Sequence, residues 1–221
     1  MKFSLKIEQL SEYVCRQVNT LIPDGLDIHK SIIIDCMPDT LDRLSNCFKH
    51  IALKSYRDKK GEEYFNHNNG NHYSMFLYYL TNTVWKKTGD EQVASKLFML
   101  NKIINCVDIF YEVELPDIFV LIHPVGTILG RAKYSDYFVV YQGCTVGSRE
   151  VEEYPIIGEN VMMCSHSSIL GKCKLSNNIV IGAHTFLLDT NVEENKVVLG
   201  QYPSNRIINT TKRKTDDVFI K

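Results

Sequence analysis

Between residues 156 and 188 the chain reads IIGENVMMCSHSSILGKCKLSNNIVIGAHTFLL, and every sixth position from Ile157 is apolar: Ile157, Met163, Ile169, Leu175, Ile181 and Leu187. A period of six matches neither the 3.6-residue turn of a helix nor the two-residue alternation of a strand. It suits a solenoid of short flat runs, each turning one side chain inward, with Gly, Asn, Ser and Ala at the corners. The hexads IIGENV, ILGKCK and VIGAHT all set Gly directly after the aliphatic residue, which argues against unrelated short strands. The expected fold class is α+β: an N-terminal helical domain, then a left-handed parallel β-helix with three hexapeptides to a triangular coil.

The beat extends upstream through Ile122, Ile128, Tyr134, Val140 and Val146. The registers through Val146 and from Ile157 are offset by a number not divisible by six. SREVEEYP, residues 148–155, must therefore leave the coil as an exposed loop, either a place for substrate contacts or a tolerated insertion. Before the solenoid the periodicity is helical. Phe3, Ile7, Leu10, Val14, Val18 and Leu21 predict one helix ending at Pro23 and Gly25, and Pro38 opens a second through Leu41, Leu44, Cys47, Phe48, Ile51 and Leu53. Residues 57–73 are polar and aperiodic and predict a loop. A third helix over 72–87 stops at Gly89, and Asp90 caps a fourth that reaches Asn105. The expected division is a helical domain 1–105, a β-helix 106–208 and a tail 209–221 with Lys212, Arg213 and Lys214 in solvent.

Charge and cysteine content exclude several functions. With 25 Lys and Arg against 26 Asp and Glu, the chain has no basic field for nucleic acid. MKFSLKIEQLSEYVCRQV interleaves charges with apolar residues, unlike a signal peptide, and no stretch has transmembrane length, so no membrane insertion and a cytoplasmic location are expected. Seven cysteines without a Cys-x-x-Cys pair point to reduced thiols, not to disulfides or a metal site.

The runs CVDIFYEVELPDIFVLIHPVGTILG, FVVYQGCTVG and YPIIGENVMMCSHSSILG, preceded by HYSMFLYYLTNTVWKKTG, resemble the serine acetyltransferases, members of the hexapeptide-repeat acyltransferases. The resemblance covers roughly residues 72–208. It implies catalytic roles for His123, in HPVGTILG, and for Asp108, in CVDI, whose separation of fifteen positions equals the family's spacing. A neutral imidazole, ordinarily near pKa ~6.5, suits removal of a hydroxyl proton as that oxygen attacks a thioester, and a carboxylate on its other nitrogen would fix the tautomer. Fifteen residues is three short of an eighteen-residue coil, which permits contact without proving it.

Acetyl-CoA is the implied acyl donor, held between solenoids of adjacent subunits, with Gly147, Ser148, Ser165 and Ala183 at coenzyme-contacting positions. A homotrimer follows, with the helices available to join two trimers and no metal required. LGQYPSNRII resembles the family's closing segment and carries over Pro203 and Arg206. His166 and His184 replace family glycines and either line the coenzyme groove or stand as exposed corners; His67 and His72 lie in NHNNGNH, which either reaches the acceptor or is solvated. The chain departs from the family at the acceptor positions, where Ile122, Glu153 and Tyr154 replace an Asp, an Arg and a His that grip an amino acid. Glu153 in place of a cation would repel a carboxylate, and Tyr154 could stack on a sugar. The expected function is an acetyl-CoA-dependent O-acetyltransferase with a small-molecule acceptor, a sugar or nucleotide-sugar. A serine acetyltransferase with an altered site and an inactive scaffold are the alternatives.

Overall fold

A computed structural model describes residues 1–220. Four helices come first: α1 (Ile7–Leu21), α2 (Lys30–Lys49), α3 (Gly70–Thr88) and α4 (Glu91–Asn105). Helix α1 turns Leu10, Val14 and Val18 inward, whereas Phe3 lies in a short strand, Lys2–Phe3, paired in parallel with Tyr64–Phe65. The polar segment 57–73 is thus not all loop: it holds that strand and the first turn of α3. Helix α2 begins eight residues before Pro38, which sits within it. Proline removes one backbone donor and crowds the preceding turn, but Pro38 is exposed, so the loosened carbonyls can be hydrated or captured; Lys87 Nζ donates to Asp35 O at 2.9 Å. Asn69 caps α3 and Asp90 caps α4, while Gly89 (φ +65°) and Cys106 (φ +53°) end them in the left-handed region.

From Val107 the chain winds a parallel β-solenoid of about five coils. One face stacks Val107–Asp108, Thr127–Leu129, Thr145–Gly147, Ser168–Leu170 and Phe186–Leu188. A second stacks Phe119–Ile122, Phe138–Tyr141, Val161–Met163, Ile179–Ile181 and Lys196–Leu199, and the third stacks Ile156–Ile157, Lys174–Leu175 and Asn191–Val192. The six residues of the hexad ladder are all buried. Between Ser168 and Phe186 the coil is regular; between Thr145 and Ser168 it is longer, because residues 148–155 bulge out with Val151 fully in solvent.

Upstream the beat fails at one point. Ile128 is exposed at 46%, and Leu129 is the inward residue. The tail differs from expectation too. Arg206–Asn209 pairs antiparallel with Lys196–Leu199, Thr215 Oγ1 meets Asn160 Oδ1 at 3.1 Å, and Val218 and Phe219 are buried, with Ala52 N donating to Val218 O at 2.7 Å. The tail thus runs back along the solenoid to the helices, while Lys212, Arg213 and Lys214 are exposed as expected, with Lys214 facing Asp217 at 3.8 Å. One apolar core runs unbroken from α1 to Val198, so the change from helix to strand at Cys106 is not a break in packing. No described helix is long and apolar enough to cross a membrane.

Candidate active site

His123 stands where the first coil turns its first corner. Strand pairing sets Ile122 opposite Tyr141, yet Gly143 N bonds to Val125 O, so the corner between Ile122 and Gly126 has two residues more than the corner above it. This excess leaves His123 exposed while Pro124 stays buried. Leu121 pairs with inward Val140 and Leu129 with inward Val146, eight positions against six, so a six-residue count from Ile122 falls one short, on Ile128. His123 is exposed and sits at φ +49°, the left-handed conformation that this solenoid also uses at corner residues such as His166 and His184. Two bonds hold it there: Val125 N donates to His123 O at 2.7 Å, and His123 N donates to Asn71 Oδ1 at 3.0 Å.

The ring of His123 faces a cavity of about 490 Å³ whose other wall is the N-terminus of α3 and the end of α4: Asn69, Gly70, Asn71, Asn105 and Cys106, with Ser55 at the side. Apart from His123 the lining carries no ionisable group except the Cys106 thiol, and its polar members are neutral hydroxyl and amide groups. None of these partners was evident from periodicity. The only sequence signal was the run NHNNGNH, and there the histidines drew notice while the asparagines do the contacting. His72 is fully buried against Phe48, Tyr56 and Phe65; its Nδ1 accepts from Asn66 N at 3.1 Å, and burial pushes its pKa down to about 4. His67 hydrogen bonds with Ser4 across 2.8 Å. Neither lines the cavity.

Asp108 is on the adjoining face of the same coil, but its carboxylate accepts from Lys102 Nζ at 2.6 Å and has no hydrogen bond with His123. Ile122 is buried in the core and contributes nothing to the cavity. Glu153 and Tyr154 part company. Glu153 pairs with Lys172 at 2.8 Å beside the Arg149–Asp189 pair, so a cation stands next to the charge expected to repel a carboxylate. Tyr154 lines a different cleft of about 590 Å³ with Phe110, Arg131, Gly147 and Ser148. Ser165 and Ala183 lie at the opposite edge of that face, next to His166 and His184, whose exposed rings stack in parallel 5.1 Å apart on left-handed corners. One subunit therefore keeps Gly147 and Ser148 apart from Ser165 and Ala183. Among the described residues no group of His, Cys, Asp or Glu could hold a metal. Cys144, with its pKa raised by burial, lies inside the solenoid and is not a nucleophile at this site.

No family model matches the sequence. The serine acetyltransferase of Staphylococcus epidermidis is 28% identical over 101 residues, 44% of this chain and 47% of the relative, so the chain spans about half the length of the curated relatives it matches. The serine acetyltransferase structure from Vibrio cholerae superposes with a TM-score of 0.74 at 18% identity, covering 93% of this chain and 81% of that one. The Brucella abortus serine acetyltransferase in complex with coenzyme A gives 0.70 at 19%, covering 95% and 84%. In sequence and in fold the chain is serine acetyltransferase-like, a hexapeptide-repeat protein built on a left-handed β-helix.

Proposed function

We propose that the protein is an acetyl-CoA-dependent O-acetyltransferase with His123 as its general base. The observation that carries this reading is the placement of His123: a left-handed, exposed imidazole on a two-residue bulge, facing a cavity built jointly by solenoid and helices. His123 takes the proton of the acceptor hydroxyl as its oxygen attacks the acetyl carbonyl. The carbon–sulfur bond then breaks, and the imidazolium returns the proton to the leaving thiolate, giving an ester and free coenzyme A. Asp108 becomes the orienting partner when the imidazole replaces Lys102 on its carboxylate. Coenzyme positions Gly147 and Ser148 on one edge, with Ser165 and Ala183 on the other, suit a donor site shared between neighbouring subunits of a homotrimer. Exposed Val125 and Ile128 supply apolar surface for that contact.

L-serine is the leading acceptor. The relatives matched are serine acetyltransferases, and the Glu153–Lys172 pair sets a cation beside the charge that argued against a carboxylate. A neutral polyol is the second reading, favoured by the uncharged lining of the His123 cavity. The deciding experiment is thiol release from acetyl-CoA with L-serine, simple sugars and nucleotide-sugars as acceptors. Efficient turnover of L-serine supports the first reading; turnover confined to sugars supports the second; release with no acceptor at all overturns both.

A further inference from the structure

We propose that Asn71 is a positioning residue for His123, an inference that rests on the base role assigned above. At each solenoid corner one residue donates its backbone N–H to the coil beneath: Gly126 to Cys106 O, Gly143 to Val125 O, His166 to Gln142 O and His184 to Ser165 O. His123 lies in the added stretch just before Gly126, outside that ladder, and its N–H donates to the Asn71 side-chain oxygen at 3.0 Å. The helical domain thus holds the part of the corner that the solenoid's own ladder leaves out.

Asn71 is well placed to act as a fixed point. It is the second residue of α3, its own N–H donates to the Asn69 cap at 3.0 Å, and its carbonyl accepts from Ser74 Oγ at 3.0 Å. The next residue, His72, is packed among aromatic rings, so the helix end cannot drift. A backbone at φ +49° persists only where its surroundings over-determine it, and the Asn71 bond is one of two that do so. Among the described residues the Asn71 Nδ2 has no hydrogen-bond partner, so the amide is oriented by His123 alone while lining the same cavity.

The test compares Asn71→Ala, which removes the acceptor, with Asn71→Asp, which keeps an oxygen at that point. Misplacing a catalytic group by about 1 Å can cost on the order of 100-fold, so kcat should fall about 10- to 100-fold in the Ala variant with KM for acetyl-CoA nearly unchanged. Asn71→Asp should recover most of kcat, and the added carboxylate beside the imidazole should move the acid limb of kcat/KM to higher pH. Hydrogen exchange of the His123 amide reads the same bond without catalysis: protected in wild type and Asn71→Asp, about tenfold faster or more in Asn71→Ala. Equal exchange in all three overturns the inference. Loss of protection in Asn71→Ala from a wild-type protein that transfers no acetyl group would keep the clamp and reject the base role. An equal fall of kcat in both variants, with exchange unchanged, would reject the positioning role while leaving the base role intact.

Discussion

The acid response of the fold should be governed in large part by His72. This imidazole has no exposure to water, and desolvation lowers its pKa from 6.5 to about 4. Its folded-state value lies below its unfolded one, so the unfolded chain binds the extra proton first. The contribution of His72 is therefore constant above about pH 6.5, declines as pH falls from there to about 4, and is constant again below. Two and a half pH units at 1.36 kcal/mol each give a full loss of about 3 kcal/mol, of which about 2.5 kcal/mol is reached by pH 4.5. That is a large part of the 5–15 kcal/mol typical of a domain. The assay is urea unfolding at pH 7.5 and 4.5 for wild type and His72→Asn, whose side-chain oxygen can still accept from Asn66 N as Nδ1 does now. The variant will be less stable at neutral pH because a smaller side chain leaves space among Phe48, Tyr56 and Phe65. Its pH dependence is what matters. Wild type should lose about 2.5 kcal/mol more than the variant between the two conditions. Parallel losses would refute the claim that a buried neutral imidazole sets the slope.

Two other substitutions probe how the corners and the tail hold the solenoid. Gly143 sits at φ +67° directly against His166, and an added Cβ would run into the His166 Nδ1, so Gly143→Ala should cost about 1–2 kcal/mol from the left-handed backbone alone and unstack His166 from His184. Thermal unfolding and the imidazole NMR signals of the two histidines check this; unchanged ring signals would contradict it. Phe219→Ala should destabilise by about 3 kcal/mol, the low end for a buried Phe truncation, because Phe219 is 5% exposed and joins the tail to Tyr137 and Ile51. An unchanged unfolding midpoint would mean that the tail does not dock in solution.

The solenoid was legible because a six-residue beat has one cheap solution: Ile157, Met163, Ile169, Leu175, Ile181 and Leu187 all turn inward as the spacing demands. It was illegible where residues were added to a corner. The corner at His123 carries two added residues, so the inward positions run from Leu121 to Leu129, eight apart, and Ile128 is left exposed; nothing local announces that excess. Helix α2 ran through Pro38 because an exposed proline on a packed helix is tolerated, a tertiary effect that local propensity does not contain. The position of the base came through the resemblance, since an isolated His-Pro carries little information by itself. Its surroundings did not come through at all. Asn71 lies 52 positions from His123, and such contacts are set by how α3 docks on the first coil. The Lys102–Asp108 pair and the division of Glu153 from Tyr154 were hidden for the same reason.

The central claim is that His123 removes the acceptor's proton. Its most direct test is turnover by wild type and His123→Ala, followed as thiol release from acetyl-CoA with L-serine and with the sugar panel, alongside acetyl-CoA affinity measured by calorimetry. Loss of general base catalysis should lower kcat by roughly 10²–10⁴-fold on the true acceptor while leaving acetyl-CoA binding nearly unchanged. Turnover near the wild-type rate in His123→Ala would contradict the account.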